Sequence, residues 1–96
     1  MNAKLMEAVR NKRIIMFTYK GKERIVEPHA YGTGHHHEEI LKGYQTAGRS
    51  DDPVPGWGTF PVSEIKDLKI SKDNFTEPRP EYAKGDKLFH NIYCEI

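Results

Sequence analysis

Apolar positions along this chain follow a helical period first and an alternating one afterwards. Leu5, Met6 and Val9 share one face of a helical wheel, with Lys4, Glu7 and Arg10 largely opposite. With Asn2 as a cap, that spacing predicts a short helix from Ala3 to Asn11, one that must pack on something to persist. From Arg13 to Tyr19 the period becomes two. Ile15, Phe17 and Tyr19 alternate with Ile14, Met16 and Thr18, which predicts a strand with the sheet's core on one side and the helix on the other. Lys20-Gly21-Lys22 supplies a tight turn. A second strand is expected from Glu23 to Tyr31, with an edge or a bend at Pro28, where the ladder loses a donor.

Gly32-Thr33-Gly34 and the histidines after it read as a polar loop, and Glu39 to Gln45 as a third strand. Thr46 to Gly58 reads as a long loop, followed by a very short strand at Thr59-Phe60-Pro61. Val62-Ser63-Glu64 reads as one helical turn, and Ile65 to Ile70 as another strand. Residues 71–87, rich in proline and charge, are expected to wrap the surface without regular structure. Alternation returns from Leu88 to Ile96, with Leu88, His90, Ile92, Cys94 and Ile96 on one face, in a strand that pairs with the barrel or with a neighbouring chain. The prediction is a single domain over residues 1–96: an N-terminal helix over 1–12, a small β-barrel over 13–70, and a strap with a terminal strand over 71–96.

Composition narrows this reading. Ninety-six residues leave little room for a second domain, and a hydrophobic share of 36% allows only a modest core. The lone Cys94 rules out an internal disulfide and suits a reducing compartment. The chain has neither an apolar run of membrane-spanning length nor the apolar core of a signal peptide, so a cytoplasmic location is expected. Net charge is +1, but its distribution is uneven. Residues 1–24 carry about +5 and residues 25–96 about −4, an asymmetry able to draw in a phosphate-bearing ligand or to match the ends of neighbouring subunits.

Several short matches occur in a telling order. Ala8-Val9-Arg10-Asn11, Ile15-x-Phe17-x-Tyr19, Arg24-Ile25-Val26-Glu27-Pro28, Leu41-x-Gly43-Tyr44, and Thr59-Phe60 with Ile65 follow one another over roughly residues 5–75. In that order and spacing the chain resembles the WYL domain family. The resemblance implies a mainly β fold, a small SH3/Sm-like β-barrel with a short N-terminal helix, here with a C-terminal strand extension. It also implies a sensor of nucleic acid or nucleotide-like ligands. Three departures bear on that function. The family's Trp-Tyr-Leu falls on Glu39-Ile40-Leu41, its arginines around Thr-Phe fall on Gly58 and Pro61, and its Asp-Arg-Ile falls on Ser63-Glu64-Ile65. The chain looks like the short stand-alone WYL-like proteins, with no room ahead of the barrel for a winged helix.

The candidate chemistry is that of binding. His35-His36-His37 with Glu38-Glu39 offers imidazole and carboxylate, but successive residues of an extended segment point to opposite faces, so a solvated loop is expected and no metal. Ser50, Ser63 and Ser71 sit in no nucleophile elbow, Cys94 lies on an apolar face, and Asp51-Asp52 precedes Pro53 in a turn setting. The chain is therefore expected not to be an enzyme and to carry no cofactor. Arg24, His29, Tyr31, Tyr44, Arg49 and Trp57 form the candidate ligand site, with the guanidinium groups gripping phosphate and the rings stacking on bases. The expected ligand is a nucleotide or single-stranded nucleic acid, held in a regulatory or accessory role. The alternatives are a protein-interaction module that oligomerises through its terminal strand, and a metal-dependent hydrolase built on His35–His37. Pro78-Arg79-Pro80 has the composition of an SH3-type ligand but is expected to strap the protein's own barrel. His90 is expected to be a hydrogen-bonded core residue.

Overall fold

The computed structural model describes residues Met1–Ile96. The chain begins with helix α1 (Ala3–Arg10), started by Asn2, whose side-chain oxygen accepts from the Leu5 amide at 3.1 Å, and ended by Asn11. Strand β1 spans Arg13–Tyr19 and β2 spans Lys22–Thr33, with Tyr19 paired to Lys22. The two-residue link between them has positive φ at both positions, 51° at Lys20 and 72° at Gly21. That is the type I′ geometry whose twist suits a hairpin. Strands β3 (Glu39–Gly48) and β4 (Gly56–Pro61) follow, then a single 3-10 turn at Val62–Glu64, β5 (Lys66–Asn74) and β6 (Asn91–Glu95). The fold is mainly β: a compact antiparallel sheet with one short helix. No helix is long and apolar enough to cross a membrane.

The sheet runs in the order β4-β3-β2-β1-β5, and β6 joins it by pairing with β2. The long β2 changes neighbour along one edge. Val26 is its last partner for β1, and Ala30 its first for β6. On its other edge β3 follows it throughout, with a register shift between Pro28 and Ala30. Pro28, which has no N–H to give a ladder, therefore sits in a central strand at the place where one edge changes partners. The bend expected there is this changeover. Gly43 lies opposite, and a Cβ on it would run into the Val26 side chain and come within 3.0 Å of the Glu27 carbonyl.

One core lies on the inner face. Leu5, Ala8 and Val9 of α1 meet Ile15, Phe17, Val26, Tyr31, Leu41 and Phe60 there, with Phe17 edge-on to Phe60 at 5.0 Å. The helix thus packs on the same side of β1 as the core. The expectation that helix and core would lie on opposite sides of β1 fails, and Ile14 and Met16 remain half-exposed. Each large side chain buried in this way is worth about 1.5–3 kcal/mol. A second, smaller cluster (Ala30, Ile40 and Phe89, with Ile92) covers the outer face of the far end of β2 and β3.

Several strands exceed their expected limits. β3 continues to Gly48 and β4 begins at Gly56, so Trp57 belongs to a strand and the loop shrinks to residues 49–55. Residues 71–74, expected to be irregular, extend β5, because Asn74 still finds Arg13 as a partner. Pairing continues through polar residues that carry no alternation signal. At the C-terminus regular pairing starts only at Asn91, and a register shift on β2 between Tyr31 and Gly32 interrupts the expected Leu88–Ile96 face. Tyr93 then packs on the main core beside Cys94 and Ile96, while His90 and Leu88 are exposed and Phe89 is buried. β6 pairs with β2 of its own chain.

Candidate functional site

Two surfaces of β2 carry chemistry. Arg24 and Glu27 are both buried, at 6% and 5% exposure, and their odd spacing on a strand sends them to opposite faces. Each of these charges must find compensation away from water.

Arg24 lies at the inner end of the sheet. It donates to the Gln45 side-chain oxygen at 3.3 Å and to the Tyr19 carbonyl at 3.1 Å, and its guanidinium lies over the Tyr19 ring at 5.1 Å. Both acceptors are neutral, no carboxylate pairs with it, and Nε has no partner. Arg24 lines a cavity of about 290 Å³ bounded by Tyr19, Lys20, Gln45, Trp57 and the loop Ser50–Pro53. Lys20 stands over the Tyr19 ring at 5.4 Å, and Lys22 pairs with Asp51 at 3.3 Å. Asp51 and Asp52 put carboxylates on the same wall. Arg49, expected to grip phosphate, is exposed and absent from this wall. Its backbone is committed instead, the amide to the Glu23 carbonyl at 2.9 Å and the carbonyl to the Gln45 amide group at 3.1 Å.

Glu27 faces the other way, toward the strap. Arg79 grips it with both arms of its guanidinium, Nε to Oε1 at 2.6 Å and Nη2 to Oε2 at 2.9 Å. This pairing holds the Arg79 pKa above its ordinary value. The Tyr44 ring lies beneath the guanidinium at 4.9 Å. His29, fully buried, accepts the Arg79 amide on Nε2 at 3.1 Å, so its Nδ1 carries the proton and donates to the Glu27 carbonyl at 2.8 Å. Burial lowers its pKa from 6.5, against the opposing pull of that carbonyl and the Glu27 charge. Its ring stacks on Phe75 and meets Trp57 and Tyr82 edge-on. Trp57 donates from Nε1 to the Pro80 carbonyl at 3.2 Å and stacks on Tyr82 at 5.9 Å. The Tyr82 hydroxyl, 3.3 Å from the His29 carbonyl, has its pKa pushed up to about 12 by burial and by the nearby Glu95 and Asp86 carboxylates.

Of the six residues expected to form one site, Arg24 and Trp57 reach the cavity, while His29, Tyr44 and Trp57 lie under the strap. Trp57 is the only one shared. Tyr31 belongs to neither: its hydroxyl accepts the Asn2 amide at 2.7 Å and donates to Glu39, and burial with that carboxylate raises its pKa. The glycines flanking Trp57 serve packing. A Cβ at Gly56 would sit 2.8 Å from the Pro53 carbonyl, and one at Gly58 would sit 2.6 Å from the Phe60 ring. Among the histidines, His35 bonds the Lys87 carbonyl at 2.8 Å, and His35 and His37 both lie edge-on to His90. No group of three or more His, Cys, Asp or Glu side chains comes together in a metal-holding arrangement. Cys94 is half-buried, and desolvation raises its thiol pKa.

Sequence reasoning missed Tyr19, Lys20 and Gln45 at the cavity and Glu27, Phe75 and Tyr82 at the strap, and it read Pro78-Arg79-Pro80 as a strap without naming Glu27 as the partner of Arg79. A signal for the second group was present. A carboxylate set in the apolar run Ile25–Tyr31 requires a cation, and Arg79 between two prolines is a stiffly presented one. These surfaces define a small, mainly β domain with a buried-arginine cavity on one side and a strap-covered aromatic surface on the other. Comparison with protein-family models, with curated proteins and with solved structures finds no match to this chain.

Proposed function

We propose that this chain is a non-enzymatic, WYL-like binding module that takes a nucleotide, or one nucleotide of a single strand, into the Arg24 cavity in a regulatory or accessory role. The observation that carries this reading is Arg24 itself, a charge 94% withdrawn from water that lines a cavity with Nε unpartnered. A buried guanidinium without an anion is costly, and a phosphate oxygen is the acceptor it lacks. Lys20 adds a second positive charge, Trp57 and Tyr19 offer ring surface for a base, and Asp51 and Asp52 offer acceptors for ribose hydroxyls. The two carboxylates argue against bare phosphate. At about 290 Å³ the cavity sits near the low end of the ~300–1,000 Å³ of small-molecule sites, which suits one nucleotide and no duplex.

The finer fold reading rests on the same strands. Five strands in the order β5-β1-β2-β3-β4, with a one-turn helix between β4 and β5, support an SH3/Sm-like small barrel. The test is calorimetric titration of the full chain with nucleoside mono- and triphosphates and a short single-stranded oligonucleotide. Binding is expected at low salt, weakening as salt rises, and falling at least tenfold in Arg24→Met. Absence of binding at low salt, or equal binding by Arg24→Met, would overturn the proposal.

A further inference from the structure

The strap between β5 and β6 is held in an unusual manner. Between the Phe75 amide, which bonds the Lys12 carbonyl, and the His90 amide, which bonds the Thr33 carbonyl, it makes no backbone-to-backbone bond to the sheet. Every hydrogen bond from that stretch to the rest of the protein passes through a side chain. Four of them, in three contacts, converge on two residues. His29 Nε2 receives the Arg79 amide, Trp57 Nε1 donates to the Pro80 carbonyl, and the Glu27 carboxylate takes the Arg79 guanidinium. The first two address only the main chain of Arg79-Pro80, the opening pair of a turn that the Tyr82 amide closes on the Arg79 carbonyl at 3.2 Å. The third, bidentate and backed by the Tyr44 ring, asks for a planar guanidinium and would serve a lysine poorly.

The gripped residues contribute nothing to the core. Pro78 and Pro80 are exposed, Arg79 is half-exposed, and the side chains that the strap buries, Phe75 and Phe89, with the half-buried Tyr82, lie outside residues 78–80. A brace whose work was packing would show the opposite distribution. Pro80 presets φ at the second position of that turn, and both prolines remove amide donors that would otherwise need partners, which lowers the entropy lost on docking. The surface thus has the layout of a site that reads a short proline-flanked turn, filled by the chain's own copy of that segment.

We propose that the surface formed by Glu27, His29, Tyr44 and Trp57 is a recognition site for turn-forming segments carrying arginine between prolines, occupied in the free protein by Pro78-Arg79-Pro80, and that its partner is a protein presenting such a segment. This surface is distinct from the Arg24 cavity, and only Trp57 touches both. A tethered occupant competes at a high effective concentration, so the free chain masks the site and a partner binds well only when the strap lets go.

Trp57 is the single tryptophan and reports directly on the site. The probe is a capped synthetic peptide with the sequence of residues 75–82, titrated into the full chain while the indole N–H resonance and fluorescence are followed. In Arg79→Ala, whose own strap cannot fill the Glu27 position, saturable binding is expected at least about tenfold tighter than in wild type, and Arg79→Lys should fall between. A peptide with alanine in place of its arginine should not bind either variant. Equal binding of the arginine-free peptide, or no saturable binding to Arg79→Ala with its native circular dichroism intact, would overturn the proposal. Should Arg79→Ala fail to fold, the wild-type chain at millimolar peptide decides: an indole resonance that shifts to saturation supports the site, and one that never moves overturns it. If the chain instead dimerises with concentration and the dimer no longer takes peptide, the occupant is a second copy and the assignment to a partner protein falls.

Discussion

Arg24 and Glu27 sit three residues apart on one strand, equally hidden from water, and the protein treats them differently. Glu27 is paired twice by Arg79, a residue far away in sequence that arrives on the strap. Arg24 receives two neutral acceptors and an aromatic ring, and keeps a donor idle beside an open cavity. One face of β2 is completed by the chain, and the other is not. A buried charge already satisfied within the chain works in the fold, and here its partner Arg79 arrives on the segment proposed to stand in for a peptide. A buried charge left short of a partner is what the proposed nucleotide would complete.

The largest change expected on breaking this contrast comes from Arg79→Ala. It strips the partner from a buried carboxylate, and should lower stability by about 1–3 kcal/mol in urea unfolding followed by Trp57 fluorescence. A loss below a few tenths would mean that Glu27 is hydrated and that the two faces are alike. Next in size is a dependence on pH. His29 has its pKa lowered in the fold, so below 6.5 the unfolded chain takes up a proton that the buried imidazole refuses. Stability should hold above that pH and fall as the pH drops from 6.5 toward the depressed folded value. Unfolding curves at several pH values should show a steeper acid loss for wild type than for His29→Asn, and parallel losses would remove the strap's hydrogen bond from the account.

Arg24→Met should move stability by less than about 1 kcal/mol in either direction, since it exchanges an under-partnered charge for a flexible apolar chain among rings. A large destabilisation would make Arg24 as structural as Glu27. Smallest of all, Arg49→Ala should change neither stability nor nucleotide affinity by more than about 0.5 kcal/mol, because only the backbone of Arg49 is engaged. A clear loss of nucleotide affinity in that variant would enlarge the cavity's wall beyond the loop Ser50–Pro53.

Much of the fold could be read from local pattern. Asn2 as a cap, the alternation from Arg13 to Tyr19, the Lys20-Gly21 turn and the single turn at Val62–Glu64 all lie within a few residues of what determines them. The errors fall where a distant partner decides. β5 runs on to Asn74 because Arg13 is there to pair, and the C-terminal face is broken by a shift imposed through β2. The candidate site divides in the same manner. Arg24 and Trp57 stood out by residue type and neighbours, and both line the cavity. Tyr44 and His29 were selected for an external ligand and are covered by Arg79, which lies 35 and 50 positions downstream of them, a contact that no periodicity records. Tyr31 was selected as a free ring, and its hydroxyl instead ties the start of the helix to Glu39.

The manner in which the strap is fastened has a consequence for how such a chain can vary. A strand cannot gain or lose a residue without turning every following side chain to the other face. Between Tyr82 and Asp86 no ladder counts the residues, and Ala83 and Lys84 are exposed with no hydrogen bond recorded for either. Insertions can accumulate at that point without shifting the sheet, so a longer arm, or a whole appended motif, can be carried there while the arginine upstream keeps its seat.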